Sequence, residues 1–164
     1  MSNLVFAVKT VKYGTPTGSN TMPVSGDLTA LPDTVKGSIE IEETEGATQK
    51  FNVDQRADPV KILKTEESEL TSKMQFYDLT YATIADIKGG TAATGSYTPA
   101  TGFTTIEKAI QVTTDSGHVI DMYNAYVSVR LMNGGGRDKL FSMEMMANPQ
   151  LSTDLAGSWQ LRDE

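Results

Sequence analysis

The chain contains no cysteine and a single histidine, His118. The first absence excludes disulfides and thiolate-bound metals, and the two together leave no ordinary zinc ligand set. One histidine also leaves only one way to build a Ser-His-Asp triad. His118 directly follows Asp115-Ser116-Gly117, and Asp and Ser in a tight turn bond their own backbone, so turn chemistry is the expected role. No Gly-x-Ser-x-Gly elbow occurs. The run Gly134-Gly135-Gly136-Arg137-Asp138-Lys139 lacks the spacing of a phosphate loop and falls between two expected strands, which reads as a glycine-rich hairpin. Glu40, Glu42, Glu43 and Glu45 come without the Asp-x-Asp-x-Asp-Gly pattern of a calcium loop, so a solvated strand face is expected there. Glu66-Glu67-Ser68-Glu69 holds the other paired carboxylates that glycoside chemistry would use. Taken together these residues argue for a structural or binding module rather than an enzyme, with no cofactor and no metal.

Positive charge is also sparse. Ten lysines and four arginines are scattered along 164 residues, and the formal net charge is −7. No basic cluster is dense enough to hold phosphates by counterion release, so stable nucleic-acid binding is not expected. An acidic surface serves solubility, and it also repels nucleic acid. Met1-Ser2-Asn3-Leu4-Val5-Phe6-Ala7-Val8-Lys9 has no basic lead, and its apolar run is too short for a signal peptide or a membrane span. A soluble protein made in the cytoplasm is the simplest expectation. The length suits one domain spanning 1–164, large enough for a hydrophobic core without staples.

What the chain does have is strand pattern. From Lys61 to Phe76, Ser68, Leu70, Ser72, Met74 and Phe76 alternate with Glu67, Glu69, Thr71, Lys73 and Gln75. Period two predicts one long strand with a polar reverse face. Asp78 is placed to cap a helix carrying Leu79, Ala82, Ile84, Ala85 and Ile87, and Gly89-Gly90 to stop it. Leu4, Phe6 and Val8 alternate with Val5, Ala7 and Val11 in a first strand apolar on both faces. Gly37, Ile39 and Ile41 line one face of the next strand, with Glu40 and Glu42 opposite; Glu45-Gly46 turns, and Phe51 and Val53 return. Ile106, Ile110 and Val112 form a strand that turns at Asp115-Ser116-Gly117, and Val119, Asp121 and Tyr123 begin the return. Ala125, Val127, Val129 and Leu131 alternate with Tyr126, Ser128, Arg130 and Met132, and Leu140 to Ala147 pair with them. Met143, Met145 and Met146 fill core or interface gaps, and Trp159 and Leu161 suggest a last short strand. Residues 13–33 and 89–103 read as long loops, and loops beyond about 12–15 residues are usually functional or disordered. The sum is a mainly β chain: a small barrel or sandwich of about eight strands flanked by one principal helix.

The run from Lys61-Ile62-Leu63-Lys64-Thr65-Glu66 through Phe76-Tyr77-Asp78-Leu79 to Ile87-Lys88-Gly89-Gly90 resembles bacteriophage tail tube proteins. So does Thr105-Ile106-Glu107-Lys108-Ala109-Ile110-Gln111-Val112-Thr113 to His118-Val119-Ile120-Asp121-Met122, with Asn124-Ala125-Tyr126-Val127 after it. The likeness lies in the order of elements over roughly residues 35–147. The resemblance implies a small barrel or sandwich flanked by a helix, shared with the haemolysin-coregulated tube proteins of type VI secretion. It implies homohexameric rings stacked into a tube, a channel through which DNA passes transiently and without sequence preference, and a place in the virion tail after assembly in the host cytoplasm. Its implied partners are further copies and other tail proteins: a terminator, a baseplate or tip, and a sheath where there is one. No membrane is involved. On this reading edge strands pair with the next subunit and so lose their edges. Leu4, Phe6, Val8, Leu70, Met74 and Phe76 are the candidate subunit contacts. Glu67 and Glu69 are the candidate channel-facing residues, and Glu66 joins them only if the strand bulges. The loops 13–33 and 89–103 are candidate arms between subunits or rings. A type VI secretion tube subunit and a surface or fibre β-sandwich that binds carbohydrate or host are the first two alternatives, and an enzyme, to be probed through His118, is the third. The second would show aromatics clustered on loops, where only Tyr13, Tyr97 and Phe103 qualify.

Overall fold

The structure is a computed structural model that describes residues 7–51, 59, 61–132, 142–150 and 157–164. Leu4, Phe6, Val53, the Gly134–Lys139 run and Leu140 lie outside the described residues. Among the described residues the chain is mainly β with one α-helix, and its main sheet is antiparallel, eight-stranded and not closed into a barrel. The first layer takes β1 (Val8–Gly14), β2 (Thr29–Ala30), β9 (Glu107–Thr114), the first half of β10 (His118–Met132) and β12 (Trp159–Asp163). The second takes the rest of β10, β11 (Ser142–Pro149), β6 (Glu69–Tyr77) and β3 (Glu40–Thr44). Two separate hairpins, β4 (Thr48–Phe51) with β5 (Lys61–Lys64) and β7 (Thr91–Ala93) with β8 (Ser96–Thr98), complete the described strands.

β10 makes the sandwich. Its fifteen residues pair with β9 on one edge, while the other edge takes β12 over His118–Met122 and β11 over Ala125–Met132. One strand therefore belongs to both layers, and the register with β9 shifts between Met122 and Ala125. An extra residue there reverses parity. Before the bulge the core face is Ile120 and Met122; after it the core face is Ala125, Val127 and Val129. The expected return series Val119, Asp121 and Tyr123 is thus the opposite face, buried as well but outside the core cluster. Between the layers Val11, Ile110, Val112, Met122, Met74, Phe76 and Met145 are almost wholly removed from water. Ser72 sits among them because its hydroxyl donates to the Ala147 carbonyl at 3.1 Å, which removes the cost of burying it.

The single long strand expected over 61–76 is two strands. β5 and β6 are separated at 65–68, where the Thr65 and Glu66 amides both donate to the Ala47 carbonyl, at 2.8 and 3.2 Å. Gly46 sits against this pinch, where a β-carbon would collide with the Glu66 carbonyl. β4 returns not on β3, as the Glu45-Gly46 turn suggested, but pairs with β5, while β3 pairs with β6. Four segments thus make one ribbon, joined to the sheet at β3–β6 and projecting beyond it at β4–β5.

The helix α1 (Tyr81–Lys88) is capped by Thr80, not Asp78: the Thr83 amide donates to Thr80 Oγ1 at 3.2 Å. Asp78 instead turns the chain with φ of 54°, a conformation Asp tolerates better than most residues. Gly89 ends the helix at φ 79°, its amide donating to the Ala85 carbonyl, as expected for a glycine cap. Ile84 and Ile87 face the core. The span expected as a loop over 89–103 contains β7–β8, and the Tyr97 hydroxyl donates to the Gly89 carbonyl at 2.6 Å. The span 13–33 is also partly regular. Tyr13 and Gly14 belong to β1, Ser25–Asp27 form a 3-10 turn, and β2 returns onto β1. Leu31 then bonds Val11, and Asp33 and Val35 bond β6, so this stretch stitches the two layers along one side.

Candidate functional site

Sequence-predicted contact residues divide between two places. Met74 and Phe76 are spent in the chain's own core, and Leu70 is buried beside them. Their strand, β6, is paired with β11 on one edge and β3 on the other. That corrects the expectation of an open edge along the long strand: the alternating apolar face that suggested a contact is the inner face of the sandwich. Val8 is half-buried at the start of β1 and, unlike Met74 and Phe76, reaches an open groove.

The open edges lie elsewhere. Among the described residues β3 is paired only through β6, and β12 only through β10. Between the layers near these strands is an apolar groove with a cavity volume of about 410 Å³. Val8, Ile120, Trp159 and Leu161 line it from the first layer, and Ile39, Ile41 and Leu70 from the second, with Glu40 and Glu43 as its charged members. A cavity of this size falls in the range of ligand pockets, but such pockets carry several convergent polar groups that orient a small molecule. Here the polar members are two exposed carboxylates and Thr114.

The β4–β5 hairpin is the second unusual surface. All eight of its strand residues are exposed, including Phe51 at 43%, Ile62 at 54% and Leu63 at 41%. Its strands carry Lys50, Lys61 and Lys64 and no acidic residue. The register Gln49↔Leu63 and Phe51↔Lys61 puts Phe51 and Leu63 on one face. A lone two-stranded hairpin is marginal in water, so one with three exposed large apolar side chains is a surface in want of cover.

Glu67 and Glu69 are exposed. Glu69 stands opposite Thr44 on β3, and Thr71 opposite Glu42. Alternation puts Glu40 and Glu42 on the same outward face as Glu69, with Lys73 opposite Glu40 and its ammonium 3.9 Å away. Sequence reasoning took Glu40 and Glu42 for a solvated strand and did not join them to Glu69; the missing information was which strand pairs with which. Glu66 and Glu67 fall in the irregular link between β5 and β6, where strand parity does not apply.

Several polar groups of the first layer pair with one another. The buried Asp121 carboxylate accepts from Gln111 at 2.9 Å and Arg162 at 2.6 Å. His118 Nδ1 lies 3.1 Å from Asp163 Oδ1, and its backbone amide donates to Thr114 Oγ1 at 3.0 Å. The imidazole thus faces a strand carboxylate at the end of a turn. No family model matches the chain, and no curated protein sequence matches it.

Proposed function

We propose that this chain is a structural subunit of a bacteriophage tail tube, six copies closing a ring and rings stacking around a channel for DNA. The observation that carries the reading is surface that a single copy leaves unpaired among the described residues: the open edges of β3 and β12, an apolar groove between them and a hairpin with no core of its own. Edges of this kind are a liability in a monomer and are removed by pairing between copies. A sandwich flanked by one helix is also the fold implied by the resemblance to tail tube proteins. The reading involves no catalysis; its partners are further copies, the tail proteins at either end, and passing DNA, and its place is the virion tail.

Electron microscopy of negatively stained protein over a range of concentrations tests it. Six-fold rings or hollow tubes are the expected result. A population that stays monomeric at every concentration overturns it and favours a β-sandwich that binds host surfaces. The channel face is tested separately. The exposed carboxylates of Glu67 and Glu69, with Glu40 and Glu42 on the outward face that Glu69 shares, support an acidic lining to which DNA does not adhere. Reversing Glu67 and Glu69 to lysine is expected to slow DNA ejection while leaving tubes intact, and unchanged ejection from such particles would count against the lining.

A further inference from the structure

We infer that the groove between the layers is the seat of the β4–β5 hairpin of a second copy, Phe51 and Leu63 entering it and Lys61 meeting Glu43. This rests on the reading of the chain as a self-assembling subunit, and not on what the assembly carries.

Three observations converge. One hairpin face carries Phe51 and Leu63 with Lys61 and Gln49 directly opposite them, and all four are exposed. The groove offers Ile41, Trp159 and Leu161 with Glu40 and Glu43 as its charged members. A basic apolar strand pair therefore faces an acidic apolar cleft on a molecule whose net charge is −7, where like-charged copies otherwise repel. The occupant comes from another copy, because the paired amides on the Ala47 carbonyl hold the hairpin as an outward extension of the ribbon that forms the groove wall. Hairpin and groove are different patches, so the contact is heterologous. It leaves each copy one free hairpin and one free groove, and repetition closes a ring or extends a filament. A small-molecule occupant would leave the hairpin uncovered, and the groove lacks orienting polar groups for one.

Absence of native cysteine makes the test clean. Leu63→Cys and Leu161→Cys change residues that are both about two-fifths exposed, and unchanged thermal midpoints verify that each variant folds. The two proteins, one carrying a size tag, are mixed and oxidised. The expected product is a disulfide-linked heterodimer in excess of either homodimer. Lys61→Glu on the first chain should lower its yield roughly tenfold, the change that about 1.4 kcal/mol of contact produces. Glu43→Lys on the second chain should restore it. Absence of the heterodimer, or a yield indifferent to both charge changes, overturns the inference. The two readings separate in the same samples. Tubes in the microscope without the heterodimer refute the hairpin seat and keep the tube, whereas the heterodimer without rings or tubes keeps the seat and refutes the tube.

Discussion

Tyr13 lies in the core at 4% exposure, with the Lys108 ammonium 5.6 Å from its ring centroid and Asp86 beside its hydroxyl. Burial first, and then the Asp86 charge and hydrogen bond, push its hydroxyl up to about 12 from an ordinary 10.0. The folded chain therefore keeps a proton that the unfolded chain releases between these values. Stability from this group is complete below pH 10 and is lost as pH rises through 12. The loss is on the order of 2–3 kcal/mol across the interval. Urea unfolding of the native chain and Tyr13→Phe at pH 8 and pH 11.5 should show the native chain losing about 2 kcal/mol more than the variant, since pH 11.5 stops short of the end of the interval. Parallel losses would mean that Tyr13 titrates as if exposed. At this scale the sequence marks Tyr13 only as a loop aromatic, because its burial is set by Lys108 and Asp86, roughly ninety and seventy residues away. Asp121 is hidden for the same reason: its partners Gln111 and Arg162 come from two other strands.

Elements were more legible where one face alone is buried. Leu70, Ser72, Met74 and Phe76 alternate cleanly, as do Ala125, Val127 and Val129, because a half-buried strand writes its period into the sequence. The stretch from Val119 to Tyr123 is buried on both faces, so its alternation does not tell which side is the core, and the bulge before Ala125 goes unmarked. At the helix start two capping residue types stand two positions apart, and only geometry separates them. Thr80→Ala should destabilise the fold by about 1 kcal/mol through the lost bond to the Thr83 amide. Asp78→Gly should be neutral or slightly stabilising, since glycine adopts φ of 54° without steric cost. Thermal or urea unfolding of the two variants decides it, and the opposite ranking would return the cap to Asp78.

For the whole molecule, the hairpin and the sandwich make different demands on the sequence. The sandwich needs Phe76, Met74, Met122 and Val112 sealed from water, whereas every strand residue of β4 and β5 is exposed and contributes nothing to that core. This division was the part least open to sequence reading. Phe51, Ile62 and Leu63 have the composition of core strand residues, and only the pairing of β4 with β5, away from the main sheet, makes them surface. It yields a prediction that separates folding from assembly. The Ala47 carbonyl is bonded by the Thr65 and Glu66 amides, so the ribbon can be closed there by an Asn-Gly turn replacing residues 48–64, a pair suited to short hairpin connections. The shortened chain should unfold within about 0.5 kcal/mol of the native chain, the usual range for changes away from the core. Its self-association should be lost, read as monomers by sedimentation at concentrations where the proposed rings or tubes of the native chain form. If stability collapses, the hairpin supports the fold. If assembly survives, the contacts between copies are made by the open edges of β3 and β12, and the exposed apolar residues of the hairpin answer to some other partner.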